Sequence, residues 1–304
     1  MQINTGHILF TVDLEDWFQV ENLRQQVSFE SWSSRELRVE KNVHVILDLL
    51  DYIAEENNYG HAHATFFVLG WLAERIPLLV REIYARGHEV ASHGYFHRPC
   101  LELSFSELKN DLSDSKSQLE DIIGDRIYGY RAPNFSIDNN VLKTIESCGY
   151  TYDSSYNSFS MNRRYGRIDI ERYPKEGIAA KVSDTFYELP ISNIHWHGAI
   201  FPWGGGGYFR LMPLCLFRFG VQSILRSQNA YVFYLHPWEM DPDQPRINTI
   251  PFFYRFRHYA NINRTRQKVS GFFSGMKACH FVNCNDYIKS LQGKHIGATG
   301  EVGI

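Results

Sequence analysis

Short apolar runs alternate along the chain with longer stretches whose apolar residues recur at helical spacing. The short runs predict strands over residues 7–12, 64–70, 88–92, 127–133, 150–155 and 230–237. The longer stretches predict helices over residues 43–57, 72–87, 104–124 and 139–149. The third of these helices starts with the capping-box pair Ser104 and Glu107 and ends at Gly124. Because strands and helices alternate, we predict an α/β fold of parallel strands with helices outside, either a barrel or a doubly wound sheet.

Two regions depart from this alternation. Residues 157–220 are rich in Tyr, Trp and Gly and include FPWGGGGYF, which predicts long aromatic loops over one end of the sheet. The basic and aromatic stretch FFYRFRHYANINRTRQK lies beyond the last predicted strand. We therefore predict two parts, a barrel over residues 1–241 and a C-terminal extension over residues 242–304 that packs on the barrel.

Composition excludes several classes of protein. The chain has 304 residues, of which 44% are apolar, so it can bury a large core. Its net charge of −3 is unlike that of a nucleic-acid binder, and no run reaches the roughly 18 apolar residues of a membrane-spanning helix. The first residues do not have the pattern of a signal peptide, and the five scattered cysteines form no CxxC pair. These features predict a cytoplasmic protein with reduced thiols.

The motif SHGYFH, directly after a predicted strand, contains His93 and His97. Zinc and similar divalent ions bind imidazole nitrogen, and residues four apart on a helical turn project to the same side. The pair therefore predicts two ligands of a divalent metal, with Zn²⁺ the first choice and Co²⁺ or Ni²⁺ as alternatives. Taken alone, the same spacing also fits two packing histidines.

Three acids, Asp13, Glu15 and Asp16, cluster where the first strand should end. Carboxylates this close repel one another and are costly to bury without a cation. One of them would complete a set of two histidines and one carboxylate around a metal, and a second would then be free to act as a base. The alternative is a helix N-cap with solvent-exposed acids.

Two further polar residues follow predicted strands. Arg131 lies beside Pro133, where its guanidinium can pair with a carboxylate and hold it in orientation. His236 emerges from the apolar run at 230–235, and a histidine there can donate a proton at neutral pH. A surface arginine and a buried packing histidine are the alternatives. Since the C-terminal ends of parallel strands meet at one face of a barrel, these residues can converge there.

From about Leu9 to Asp241 the chain resembles the polysaccharide deacetylases of carbohydrate esterase family 4, also called NodB-homology deacetylases. Five motifs carry the resemblance in order: TVDLED, SHGYFH, RAPNFS, YDSS and LHPWE. They stand for the paired-aspartate, H-x3-H, R-x-P-[FY], Asp/Ser and Leu-x-His motifs, although Leu235 and His236 are adjacent here. The resemblance implies a distorted (β/α)7-type barrel with fewer strands than the usual eight.

The resemblance also implies hydrolysis of N-acetyl groups on amino sugars, with an N-acetylated glycan as substrate. Asp13 is then the base, Arg131 orients it, and His236 protonates the leaving amine. The acidic ligand stays open, because Glu15 shares a strand face with Asp13, whereas a bend at the strand end brings Asp16 round instead. The residues expected along the substrate groove are Tyr95, whose neighbourhood would supply an oxyanion-binding N–H, and Pro133, Phe135, Asp153, Trp203 and Leu235.

A narrower resemblance is to deacetylases of bacterial exopolysaccharide loci (the XrtA/PEP-CTERM-type subgroup), which carry a C-terminal extension with an RFRHY segment, as at residues 255–259. It implies an exopolysaccharide substrate and contact with the assembly machinery of that polymer. Two other functions stay open: an allantoinase-like amidohydrolase acting on a small non-sugar amide, and a carbohydrate-binding or assembly protein without catalysis. The basic residues of the extension have two interpretations, contact with an acidic polymer or partner, and a solvated face.

Overall fold

The computed structural model of the protein describes residues 6–159 and 165–298, the side chains of 294–298 excepted. The strands are β1 Gly6–Leu14, β2 Ala64–Val68, β3 Glu89–Ser92, β4 Gly129–Tyr130, β5 Tyr152–Asp153, β6 Lys175–Glu176, β7 Ala179–Lys181, β8 Tyr187–Glu188, β9 Asn193–Trp196, β10 Ala199–Pro202, β11 Ala230–Leu235 and β12 Cys279–Phe281. The α-helices are α1 Val39–Glu56, α2 Gly70–Arg75, α3 Pro77–Ala85, α4 Phe105–Ile123, α5 Asn139–Ser147, α6 Gly206–Leu211, α7 Leu214–Gln228, α8 Phe252–Tyr259, α9 Thr265–Phe273 and α10 Cys284–Ala298.

The main sheet is a curled half-barrel, which confirms the predicted α/β fold. Its strands follow the order β11-β1-β2-β3-β4-β5-β8-β7-β6. The seven strands from β11 to β8 are parallel, and β7 and β6 continue the sheet in antiparallel fashion. Next to β11, the backbone N–H of Tyr234 donates to the carbonyl of Gly204, so the loop after β10 covers that edge.

Strand β1 shows how the sheet separates two layers of core. The even-numbered residues from Ile8 to Leu14 pack outward with the apolar faces of the helices. Leu9 packs inward, in a cluster that includes Phe67 of β2. Since successive side chains on a strand alternate between faces, Asp13 lies on the same inward face as Leu9. Strand β1 therefore delivers Asp13 to the interior of the half-barrel at the C-terminal end of the strand.

Two predicted elements differ from the structure. The helix predicted over 72–87 is divided into α2 and α3 at Pro77, because proline has no N–H to donate and its ring clashes with the preceding turn. The region 157–220 contains regular elements as well as loops: the hairpin of β9 and β10, helix α6 and the start of α7. The capping box of Ser104 and Glu107 at the start of α4 is confirmed, as is the end of α4 at Gly124.

The residues after Asp241 contribute to the same sheet as the rest of the chain. β12 pairs with Gly6–Ile8 of β1, whereas β2 pairs with the later residues Phe10–Leu14. The proposed division at residue 241 stays a prediction. Among the described residues, no helix combines the length and the apolar character needed to cross a membrane.

Candidate active site

A pocket of about 110 Å³ lies at the C-terminal ends of the parallel strands. Asp13 is the last residue but one of β1, His93 directly follows β3, Arg131 directly follows β4 and His236 directly follows β11. The predicted residues that line the pocket are Asp13, Glu15, His93, His97, Phe135 and His236. The structure thus brings residues from both ends of the chain to one side of the sheet, as expected for parallel strands.

Glu15, His93 and His97 form a buried cluster with the geometry of a metal site. Each residue offers one ligand atom, and these atoms all lie within 4.8 Å of one another. The Oε1 atom of Glu15 is 3.3 Å from Nε2 of His93 and 2.9 Å from Nε2 of His97. The short contact with His97 does not have hydrogen-bond geometry, so the buried Nε2 atom of His97 has no hydrogen-bond partner among the described residues. A buried polar atom without a partner is costly, and a bound cation would satisfy it.

The ring of His93 is held in the orientation that a metal ligand needs. Its Nδ1 atom lies 2.7 Å from the backbone carbonyl oxygen of Arg131, to which it donates in the Nδ1–H tautomer. That tautomer leaves the lone pair of Nε2 directed at the cluster. Metal-bound histidines commonly donate their other ring N–H to a carbonyl or carboxylate in this way. One carboxylate and two imidazoles suit Zn²⁺ and similar ions, so the residues present fit a divalent metal.

The segment between the two histidines is a loop, so the predicted helical turn is wrong. Gly94 and His97 both have positive φ angles, 76° and 54°. A Cβ atom at Gly94 would lie 2.8 Å from a carboxylate oxygen of Asp111, which accepts the backbone N–H of Tyr95 at 2.9 Å. The tight loop nevertheless brings the rings of His93 and His97 to a centroid distance of 5.3 Å.

Asp13 is fixed by Arg131, as the sequence suggested. The Nη1 atom of Arg131 donates to Oδ1 of Asp13 at 2.6 Å, and both side chains are buried. Arg131 is itself held by the carbonyl and hydroxyl oxygens of Ser154, each at 2.9 Å. The arginine cannot rotate away without losing these bonds, so one carboxylate oxygen of Asp13 has a fixed position.

His236 is oriented by a glutamate that the sequence analysis did not assign. The Nδ1 atom of His236 lies 2.8 Å from Oε1 of Glu239, and its Nε2 atom points towards Asp13, 3.8 Å from Oδ2. The other oxygen of Glu239 accepts from Nε of Arg210 at 2.7 Å. Arg210 also donates to the backbone carbonyls of residues 257, 258 and 260. A chain of contacts thus runs from the C-terminal region to the pocket.

The electrostatics of these groups follow from burial and from their partners. Burial alone would raise the pKa of Glu15, but the charges of His97 and His236 outweigh it and hold that pKa well below its usual range. Burial likewise acts to raise the pKa of Glu239, and the positive charge of Arg210 reverses the shift. Burial lowers the pKa of His236, but Glu15 and Glu239 overcome it and raise the pKa to about 9. These shifts favour the ionised forms of Glu15 and Glu239 and the protonated form of His236, which can donate its proton.

Asp16 lies outside the cluster of Glu15, His93 and His97. Its carboxylate accepts from the backbone N–H groups of Trp17, Arg38 and Val39 at 2.7–3.0 Å, at the start of α1. Burial raises the pKa of Asp16 to about 6 despite these bonds. Of the two acids left open by the sequence, the structure places Glu15 with the histidines and gives Asp16 the role of a helix cap.

Two of the predicted groove residues are occupied elsewhere. The backbone N–H of Tyr95 donates to Asp111, so it is not free to bind an oxyanion. Asp153 is fully buried, and its carboxylate accepts from the hydroxyl of Ser155 at 2.6 Å. That hydroxyl accepts in turn from the backbone N–H of Ala132, so Asp153 helps to hold the loop after β4 in place through Ser155.

Of the remaining residues predicted for the substrate groove, one lines the pocket and three are buried away from it. Phe135 lines the pocket, in edge contact with Tyr234 at a ring distance of 5.3 Å. Pro133 and Leu235 are buried and are not among the pocket-lining residues in the described part of the chain. Trp203 is also buried, and its indole N–H donates to the carbonyl of Phe217 on α7 at 3.0 Å. Trp203 packs the protein interior in this structure.

Several pocket residues were missed by sequence reasoning. Glu239 had a usable signal, because it stands three residues after His236 and completes a capping box there. Arg210 had none, since its partner Glu239 lies 29 residues further along the chain. Arg257 also lines the pocket and comes from the basic stretch of the predicted extension.

Comparisons with known proteins agree with this geometry. Residues 47–152 match the model of the polysaccharide deacetylase family, and residues 154–289 match a domain of unknown function, DUF3473. The first match contains His93, His97 and Arg131, and the second contains His236. A peptidoglycan-N-acetylglucosamine deacetylase of Bacillus cereus is 34% identical over 89 residues, which are 29% of this chain and 41% of that protein. The chain spans less than half of the length of the curated relatives it matches.

Solved structures share the fold at low sequence identity. A putative polysaccharide deacetylase from Mycobacterium smegmatis has a TM-score of 0.57 at 18% identity, over 97% of this chain and 92% of that chain. The PuuE allantoinase has the same TM-score at 13% identity, over 98% and 92%. These identities show a common fold and do not distinguish between the two activities. The chain is thus similar to polysaccharide deacetylases, in sequence over residues 47–152 and over the 89 residues shared with the relative from Bacillus cereus, and in fold over 97% of its length.

Proposed function

We propose that the protein is a metal-dependent hydrolase that removes N-acetyl groups from amino sugars of a bacterial exopolysaccharide or a related glycan. One observation carries the proposal: the buried cluster of Glu15, His93 and His97 lies beside the fixed carboxylate of Asp13, and the Nε2 atom of His97 has no hydrogen-bond partner in the described part of the chain. A structural role for this cluster would not require a second, separately held acid next to it.

Glu15, His93 and His97 would hold the metal. A divalent ion at this position supplies a Lewis acid that polarises the amide carbonyl and lowers the pKa of water. We propose Zn²⁺, with Co²⁺ or Ni²⁺ as alternatives that the same donor set accepts.

Asp13 and His236 would move the protons. Asp13 accepts the proton of the attacking water through Oδ2, because Oδ1 is already bonded to Arg131. His236 donates its Nε2 proton to the departing amine while Glu239 holds the opposite side of the ring. The Nε2 atom of His236 and Oδ2 of Asp13 are 3.8 Å apart, so both can contact one amide group that lies beside them in the pocket.

The pocket fits the acetamido group of a larger substrate. Its volume of about 110 Å³ is too small for several sugar rings, so the rest of a glycan would lie across the open mouth. Glu21, Asn134 and Arg257 line the pocket and can bond sugar hydroxyl groups. The named activity of the Bacillus cereus relative supports an N-acetylglucosamine-containing substrate. The exopolysaccharide and its assembly machinery rest on the motif resemblance alone.

A small non-sugar amide is the second candidate, because a pocket of this volume would hold an allantoin-sized molecule completely. Acetate release from N-acetylglucosamine oligomers and hydrolysis of allantoin separate the two functions. Turnover of allantoin alone would replace the glycan proposal. Absence of turnover on both, with the metal bound, would favour a protein that binds carbohydrate without catalysis.

The catalytic roles are tested by two substitutions in the same short segment. Asp13→Asn should retain the metal and lower turnover by about 10²–10⁴-fold, the usual contribution of a general base. Asp16→Asn is the matched control, which should keep both metal and turnover and lose stability at the start of α1. Elemental analysis of each variant, paired with the acetate-release assay, measures both properties. Full turnover in Asp13→Asn would show that Asp13 is not the general base. Full turnover in metal-free protein would show that the reaction does not need a metal.

A further inference from the structure

The C-terminal region has a charge unlike that of the rest of the chain. Residues 244–285 contain seven Arg and Lys residues and no Asp or Glu, although the whole chain has a net charge of −3. Such a concentration of one sign on a short segment indicates an anionic partner. The catalytic pocket uses only Arg257 from this set, so the charge as a whole needs a separate explanation.

Exposed aromatic side chains accompany this charge on helix α8. Phe252, Phe253 and Phe256 are 73%, 68% and 51% exposed. Three largely exposed phenylalanines within five residues form an apolar patch of the kind that marks an interaction surface. They are not required by the core, because His258 is the buried residue of this helix.

The charges and the aromatic rings meet in one groove. A surface groove of about 400 Å³ is lined by Arg246, Phe252, Arg255 and Phe256, among others. Arg246 and Arg255 lie over aromatic rings, those of Tyr259 and Phe252 respectively. The salt bridges between described residues do not include either arginine. The guanidinium groups are therefore available to an anionic group from outside. We call Arg246, Phe252, Phe253, Arg255 and Phe256 the α8 surface.

We infer that the α8 surface binds the anionic face of a lipid bilayer. Phenylalanine has no polar group to bond a sugar hydroxyl, whereas it enters the boundary between head groups and acyl chains readily. Arginines beside it pair with lipid phosphates, and a bilayer of anionic lipids attracts basic segments from solution. The combination of three exposed phenylalanines and unpaired arginines therefore favours a membrane over a soluble acidic polymer. Because Arg257 of the same helix lines the pocket, binding would place the pocket mouth close to the bilayer.

Co-sedimentation of the full chain with lipid vesicles tests this inference. The protein should bind vesicles of phosphatidylglycerol mixed with phosphatidylcholine, and should bind phosphatidylcholine alone much more weakly. High salt should weaken the binding, because it screens the attraction of arginine to the anionic surface. Failure to bind the anionic vesicles would overturn the inference.

Substitutions show whether the α8 surface is responsible. Phe252→Ser, Phe253→Ser and Phe256→Ser combined should weaken binding by more than about tenfold. Arg246→Gln and Arg255→Gln should each weaken it by about five-fold, which corresponds to about 1 kcal/mol for each basic residue. The arginine variants keep the test valid if the triple variant fails to fold, as circular dichroism would show.

Two controls define the outcome. Phe105→Ser changes a phenylalanine of α4 that is 70% exposed, and it should leave vesicle binding unchanged. An equal loss of binding in this control would contradict the assignment to α8. Polygalacturonate, a soluble acidic polysaccharide, tests the other anionic partner. The protein could bind this polymer as tightly as it binds vesicles, with no effect of the phenylalanine substitutions. That result would show that the partner is an acidic polymer and not a membrane.

Discussion

The two ends of the half-barrel bury carboxylates in different ways. At the C-terminal end, Asp13 and Glu239 each pair with a buried arginine. At the N-terminal end, the donors to Glu89 among the described residues are all neutral: the hydroxyls of Thr65 and Tyr152 at 2.8 Å and the backbone N–H of Asn285. Burial raises the pKa of Glu89 to about 7, whereas Arg210 holds the pKa of Glu239 below its ordinary value against the effect of burial.

This difference separates a site arranged for chemistry from an acid that serves only packing. A cation beside a buried acid keeps the acid charged and in one place, which suits a base or a ligand. Neutral donors position Glu89 but do not compensate its charge, so ionisation at that end costs stability. Substitutions of the arginine-paired acids Asp13 and Glu239 should therefore change turnover, and a substitution of Glu89 should change only the pH dependence of stability.

The largest effect is expected for His97→Ala, which removes one ligand of the metal cluster. A metal of the proposed kind would contribute several kcal/mol to transition-state stabilisation, so turnover should fall by about 10³-fold or more. Elemental analysis should show loss of the bound metal. His44→Ala, at a half-buried position of α1 that is outside the pocket, is the control that should keep both properties. A His97→Ala protein that keeps its metal and its turnover would show that His97 is not a ligand that the reaction needs.

Glu89→Gln should change the pH dependence of unfolding. Because the pKa of Glu89 is raised from 4.5 to about 7 in the folded state, the folded protein binds the extra proton between these values. Its stabilising effect is therefore complete below about pH 4.5 and is lost as the pH rises through about 7, a change of about 3 kcal/mol. Glutamine cannot ionise, so the variant should not suffer this loss.

Urea unfolding of both proteins at about pH 5 and about pH 8 measures the effect. The variant should gain stability relative to the unmodified protein at the higher pH, with unchanged turnover. Glu55→Gln, at an exposed position of α1, should leave the difference between the two pH values unaltered. The same pH dependence in the Glu89→Gln and unmodified proteins would show that the charge at that end is compensated after all.

A smaller loss of turnover is expected for Glu239→Gln. The two oxygens of Glu239 accept separately from His236 and Arg210, and an amide offers only one oxygen. One partner therefore loses its acceptor, and His236 is held less well. We expect kcat to fall by about 10–100-fold, part of the contribution of a general acid, with KM and metal content little changed.

The matched control for this positioning role is Asp241→Asn. Asp241 lies two residues further on and pairs with Arg38, away from His236. It should lower the free energy of unfolding without changing kcat. If Glu239→Gln raised KM and left kcat unchanged, the glutamate would act on substrate binding and the assigned orientation of His236 would be wrong.

The smallest effect is expected for Trp203→Phe, because Trp203 belongs neither to the pocket nor to the contacts of Glu89. The indole N–H donates to the carbonyl of Phe217 in a packed interior, so its removal should cost about 1 kcal/mol of unfolding free energy. KM should stay within about two-fold, because Trp203 does not line the pocket in the described structure. A large rise in KM would restore the groove role that the sequence suggested for this tryptophan.

The sequence predicted those elements of the fold that have a regular spacing of apolar residues. The period of apolar residues located β1, β2, α4 and β11, and the shared end of parallel strands predicted that His93, Arg131 and His236 would meet. The strand period also favoured Glu15 over Asp16, and in the structure Glu15 lies with the two histidines while the bend after β1 carries Asp16 to the start of α1. Pro77 divides the helix predicted over 72–87, because the period of apolar residues continues through a proline whereas the helix does not.

Contacts between distant segments could not be predicted. Nothing near Arg210 indicates that it supports Glu239, since the pairing depends on how α6 and the residues after β11 pack together. Similarly, Asp153 and Trp203 belong to motifs and loops typical of a substrate groove, yet packing turned both away from the pocket. The positions of these two side chains depend on residues that are distant in sequence, and a local sequence pattern carries no information about such residues.

Anomalous diffraction from crystals grown with zinc would locate the proposed metal. We expect one ion at about 2.0–2.2 Å from Glu15 Oε1 and from the Nε2 atoms of His93 and His97, with Asp13 beside it and not bound. An ion held by Asp16, an ion at another position, or no ion in this cluster would show that Glu15, His93 and His97 are not the metal ligands.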